Sequence, residues 1–114
     1  MVALSTNVTR ELLLASTYFL QLDGKQAQKQ RPYPPLATLY VAANLRSRGH
    51  SLQFFDAMLA SGEADFVARL HEVAPRVVVL YDDNFNYLSK MCLGRMREAA
   101  LAMVVAARRL GATV

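Results

Sequence analysis

Three short apolar runs, each followed by a stretch with helical spacing, set the rhythm of this chain. Glu11 to Ser16 (Glu-Leu-Leu-Leu-Ala-Ser) is nearly continuous in apolar residues, the pattern of a strand buried on both faces. A long connection, Thr17 to Pro35, leaves its carboxyl end and carries Asp23-Gly24 and a Gln/Lys-rich piece. Connections of that length inside compact domains tend to be functional. Leu36, Leu39, Tyr40, Ala43 and Leu45 then recur at roughly helical spacing, which predicts a helix over Leu36–Ser47 with those residues as its apolar face. Two prolines stiffen the chain ahead of it, and Gly49 stands where a helix C-cap belongs.

Ser51 to Asp56 predicts a second strand with an aspartate at its carboxyl end. Glu63 to Val73 predicts a helix packed through Phe66, Val67 and Leu70 and ended by Pro75. Arg76 to Tyr81 (Arg-Val-Val-Val-Leu-Tyr) is the clearest strand, and a polar-aromatic loop from Asp82 to Tyr87 follows it. A third helix is predicted from Ser89, its N-cap, to Leu110, with Gly111 as its stop. Met91, Met96 and Met103 along it read as core. Ala112-Thr113-Val114 reads as the first residues of a fourth strand.

The order is therefore βαβαβα and the start of another β, within one domain spanning residues 1–114. Right-handed crossovers make such strands parallel with helices on both faces. A doubly wound sheet usually continues for two more strands, so the expectation is a domain incomplete at its C-terminal end. The open sheet edge that this leaves invites self-association or pairing with another chain.

Composition narrows the function classes. At 54% hydrophobic residues the chain reads as globular, and its apolar run Ala99–Ala107 falls far short of the ~20 residues of a membrane span. The N-terminus shows no secretion signal, and the lone Cys92 fits a reducing cytosol. Net charge is +4, but Arg46, Arg48, Arg95, Arg97, Arg108 and Arg109 fall on helix faces and helix C-termini. Cations complement the helix dipole there, so nucleic-acid binding is not expected. Asp82-Asp83 after the third strand resembles a phosphoacceptor site, but Ser16-Thr17-Tyr18 offers no acidic pair for Mg²⁺. No Gly-x-Gly-x-x-Gly loop points to a nucleotide, and no nucleophile–base or metal-ligand set is visible.

Three stretches, residues 31–40 (Arg-Pro-Tyr-Pro-Pro-Leu-Ala-Thr-Leu-Tyr), 48–57 (Arg-Gly-His-Ser-Leu-Gln-Phe-Phe-Asp-Ala) and 83–93 (Asp-Asn-Phe-Asn-Tyr-Leu-Ser-Lys-Met-Cys-Leu), carry a family resemblance. Through them the chain resembles the N-terminal cobalamin-binding domain of cobalamin-dependent radical SAM enzymes. The resemblance implies a Rossmann-like, flavodoxin-type parallel sheet with helices on both faces and a corrinoid across the carboxyl ends of the strands. It places Tyr18 and Phe19 after the first strand, Tyr33, Pro34, Pro35 and Leu36 before the first helix, and Tyr81, Asp82, Asn84 and Phe85 after the third strand against that cofactor. Aromatic and proline surfaces suit the corrin plane, and carboxylates and amides suit its side arms.

The Asp-x-His-x-x-Gly motif that ligates cobalt in other cobalamin modules is absent, which implies cobalamin held without a protein histidine ligand. An iron–sulfur cluster is excluded from this chain by its single cysteine. The resemblance thus implies a module that is not catalytic by itself, partnered by a radical SAM catalytic domain in the same or another chain. The alternative is an α/β interaction module without ligand, working through its open sheet edge.

Overall fold

The computed structural model describes residues 11–22, 28, 34–82 and 93–114. Strand β1 (Leu12–Ser16) is buried along its whole length and lies between β2 (Leu52–Phe55) and β3 (Val77–Tyr81), giving the order β2-β1-β3. Both pairings are parallel, with Leu12 opposite Leu52 on one side and Val77 on the other. A residue such as Leu13 or Leu14, each with no exposed surface, meets a helical layer whichever face it points to. That is why the run carries no polar alternation.

Helices α1 (Leu36–Ser47), α2 (Glu63–Val73) and α3 (Leu93–Arg109) supply those layers. On one face α2 and α3 enclose the larger core: Leu13, Ala15, Phe55 and Val78 from the strands meet Phe66, Leu70, Met96 and Met103 from the helices. Phe55 and Phe66 pack edge to face at 5.3 Å between centroids. On the other face Leu12 and Leu14 meet Ala42, with Leu52, Phe54, Val77, Val79 and Tyr81 half-buried around them. Helices on both faces of a parallel sheet define the Rossmann-like α/β class.

The element boundaries follow local chemistry. Gly49 and Gly111 adopt φ of 91° and 87° directly after α1 and α3, conformations that favour glycine. At the end of α2 the left-handed position falls instead to Ala74, φ 49°. Arg95 of α3 grips Glu63 at the start of α2 through two bonds of 2.9 and 3.0 Å, and this pairing holds the Glu63 carboxyl below its ordinary pKa. The predicted helix Leu36–Ser47 and helix Glu63–Val73 form over those same residues, and the buried Met96 and Met103 join the core. Met91 and the proposed cap Ser89 lie outside the described residues.

Two expectations change. The apolar face assigned to α1 is not its buried face: Leu36, Leu39, Tyr40 and Ala43 are exposed, while Thr38 and Ala42 face the sheet with half-buried Val41 and Leu45. Small side chains let a helix approach a sheet closely, whereas the larger apolar residues here fall on other sides of the helical wheel. The strands are also shorter than the runs that predict them, because Glu11, Ser51, Asp56 and Arg76 serve as flanks. Thr113 bridges to Val77 in parallel: the Thr113 N–H donates to the Arg76 carbonyl at 2.9 Å, and the Val78 N–H donates to the Thr113 carbonyl at 2.7 Å. The residues beyond α3 therefore begin to add to β3 on the side away from β1.

Phe66→Ala should lower unfolding free energy by about 3–5 kcal/mol, since it empties the centre of the larger core. Urea denaturation followed by circular dichroism measures this; a loss below about 1 kcal/mol would contradict the packing described.

Candidate functional site at the carboxyl ends of the strands

β1 leads through α1 to β2 on one side, and the next crossover returns past β1 to β3 on the other. The carboxyl ends of β1 and β3 therefore flank the point where the winding reverses, where open α/β sheets bind their ligands. Two hydroxyls hold this place together. Ser16 accepts a hydrogen bond from the Ala57 N–H at 2.9 Å and lies 3.5 Å from the Phe55 carbonyl, to which it donates. Thr17 turns the other way, donating from Oγ1 to Asp82 Oδ1 at 2.7 Å. The Ser-Thr pair thus ties the central strand to the segments that leave β2 and β3. Its signal in the sequence was two hydroxyl residues closing a wholly apolar strand, and sequence reasoning gave it no role.

The residues expected at a ligand distribute unevenly. Tyr18 and Phe19 are buried with the larger core, Phe19 completely and 6.3 Å from the ring of Phe55. No ligand reaches the Phe19 ring without a rearrangement. Tyr81 is half-buried on the opposite, α1-bearing face, and Asp82 is exposed beside it in sequence. Pro34 is exposed, Pro35 is buried, and Leu36 keeps 60% of its surface open at the start of α1. Tyr33, Asn84 and Phe85 lie outside the described residues. The structure therefore brings Tyr81 and Asp82 to the reversal point with Thr17, and turns Tyr18 and Phe19 into the core.

Asp56 follows β2 at the same end of the sheet and caps the short 3₁₀ turn Ala57–Leu59 by accepting from the Met58 N–H at 3.0 Å. Burial raises its carboxyl above the ordinary value of 3.8, opposed by the Met58 N–H and by the Ser16 hydroxyl. It also lines a cleft of about 540 Å³ between β2 and α2, with Phe54, Leu59, Asp65, Arg69 and Glu72. Arg69 spans that cleft, 3.4 Å from the Phe54 carbonyl and 3.4 Å from Glu72 Oε1. The cleft follows the flank of the sheet along β2 and α2.

Among the described residues no group of three His, Cys, Asp or Glu side chains could hold a metal ion. None of the described helices is long and apolar enough to cross a membrane. Compared with protein-family models, curated proteins and solved structures, the chain gave no match. What the fold defines is an α/β domain whose polar side chains gather where its winding reverses. Ser16, Thr17 and Thr38 are the buried polar residues of the described core, and all three lie at the end of β1 or in the first turn of α1.

An NMR titration of the Asp56 carboxyl should give a midpoint above 3.8. The sign follows from burial favouring the protonated form: the stability this group adds is full below the unfolded-state pKa and is lost as pH rises through the folded one. Asp56→Asn, uncharged and still able to accept from Met58, should therefore gain stability over the wild type at neutral pH and none in strong acid. A midpoint at or below 3.8 would refute this.

Proposed function

We propose that the chain is a corrinoid-binding module of the kind found in cobalamin-dependent radical SAM enzymes, non-catalytic by itself and serving a radical SAM catalytic domain. The family-like loops support this reading, and one observation carries it. Open apolar surface at Leu36, half-open Tyr81 and the Thr17–Asp82 pair belong to the carboxyl end of a parallel α/β sheet, around its reversal point. Pro34, Leu36 and Tyr81 offer apolar area for a macrocycle, and Asp82 offers an acceptor for amide side arms. Tyr18 and Phe19 belong to the core on the other face of the sheet and would not touch the ligand. When bound, a corrinoid supplies a cobalt centre that can carry an alkyl group. This chain's part is to bind and orient it, with no histidine placed for the cobalt: His50 precedes β2 at the opposite end of the sheet, and His71 lies near the end of α2.

A second reading is favoured by the rim of β3, where the Thr113 bridge is the pairing seen among the described residues, and by exposed Leu101 and Val105 on α3. On that reading the domain works by pairing with a protein partner or a second copy, with no ligand.

One titration separates them. Adding the protein to hydroxocobalamin should shift the visible absorption and give a coloured peak on size exclusion, and Leu36→Glu should weaken binding at least about tenfold by placing charge against the macrocycle. An unchanged spectrum together with concentration-dependent dimers would reject the corrinoid module and support the second reading.

A further inference from the structure

We propose that the outer edge of β2 and the cleft beside it form a docking groove for an extended basic segment of a partner protein, which adds to the sheet as a further strand. The proposal rests on β2 and α2 and is independent of the corrinoid reading. It concerns the edge opposite the one that Thr113 begins to extend. β2 pairs with β1 on one side and with no other strand among the described residues. The Phe55 carbonyl lies 3.5 Å from the Ser16 hydroxyl at the end of β1, so the Phe55 peptide group faces that strand. Peptide groups alternate sides along a strand, and those of Phe54 are therefore turned outward.

Arg69 of α2 meets that outward edge. It donates from Nη2 to the Phe54 carbonyl at 3.4 Å, and its Nε lies 3.4 Å from Glu72 Oε1. The Nε is buried and makes no hydrogen bond, because the Glu72 contact lacks the geometry for one. Arg69 thus covers the edge through one long hydrogen bond and leaves a buried donor unbonded. Such a cover is displaceable. An incoming backbone N–H offers the Phe54 carbonyl a shorter bond, and the guanidinium can swing out towards Glu72, which is largely exposed.

The chemistry of the groove selects its occupant. The cleft of about 540 Å³ has Leu59, 71% exposed, as an apolar wall. Asp56, Asp65 and Glu72 line it together with the guanidinium of Arg69, so three carboxylates stand against one cation. A strand laid along β2 puts alternate side chains on the α2 side, over these carboxylates. Lysine or arginine at every second position meets them with opposite charge. A second copy of this chain fits poorly. β1, β2 and β3 carry no lysine or arginine, and two β2 edges brought together would oppose their carboxylates.

The probe is a short fluorescein-labelled peptide of alternating lysine and threonine, added to the full chain at low salt. Its anisotropy should rise saturably, the ¹⁵N amides of Leu52–Asp56 should shift, and the Phe54 amide should gain protection from hydrogen exchange. The same peptide with glutamate in place of lysine should not bind. N-methylation of the peptide backbone, or Asp65→Asn combined with Glu72→Gln in the protein, should each weaken binding at least about tenfold. Asp65→Asn keeps an acceptor for the Ser61 N–H, so the start of α2 is retained. Arg69→Ala should bind the lysine peptide more tightly, since it uncovers the Phe54 carbonyl and removes the opposing cation. Equal binding of the glutamate peptide, unchanged affinity with the N-methylated peptide or the double variant, or amide shifts that spare Leu52–Asp56 would each overturn the groove. So would weaker binding by Arg69→Ala at an unchanged melting temperature. Dimers formed through the β2 amides without peptide would assign the edge to a second copy and overturn it too.

Discussion

Everything in this domain hangs on β1 being dry on both faces. Leu12 to Ser16 pairs with β2 and β3 at once, and its side chains feed two separate cores. A polar residue at Leu13 or Leu14 would have no water on either side and no spare hydrogen-bond partner from the ladder. That constraint fixes the composition of the strand, and it leaves its carboxyl end as the first place where polar chemistry is permitted. Ser16 and Thr17 occupy that place, and each spends its hydroxyl on a different neighbour.

The two faces are built to different standards. The α2/α3 face holds buried aromatic and methionine side chains, tied across by the Arg95–Glu63 fork. The α1 face is shallower: Val77, Val79 and Tyr81 remain half-open beside a helix that offers it mainly Thr38 and Ala42. A well-packed face supplies rigidity, while a half-open one supplies surface. Apolar area on the α1 side and at the strand ends is accordingly open where Leu36 and Tyr81 sit, while α3 exposes Leu101 and Val105 on the other side.

How much of this was legible in the sequence depended on the kind of signal. Elements with strong periodicity and clear stops, such as Glu63–Val73 and the run around Val77, were readable because burial and helix spacing act locally. The buried face of α1 was not, since a hydrophobic tally favours Leu36, Leu39 and Tyr40, whereas close packing against the sheet selected Thr38 and Ala42. Tyr18 and Phe19, expected at a ligand, are buried with the larger core. Aromatics following a strand suit a ligand and a core equally well, and the contact of Phe19 with the Phe55 ring arises only in the fold. Ser16 and Thr17 find Ala57 and Asp82 through contacts across long stretches of chain, which no local pattern encodes.

The central position of β1 also has a cost in time. Its end is tied to Ala57, 41 positions later, and to Asp82, 65 positions later. During synthesis at roughly 5–20 residues per second, the strand would wait about 3–13 seconds for its second partner. Through that interval the strand that is most completely buried in the folded sheet is a bare β-forming sequence that any other strand could capture. The feature that makes the finished sheet cohesive therefore leaves the nascent chain open to mispairing until its partners arrive.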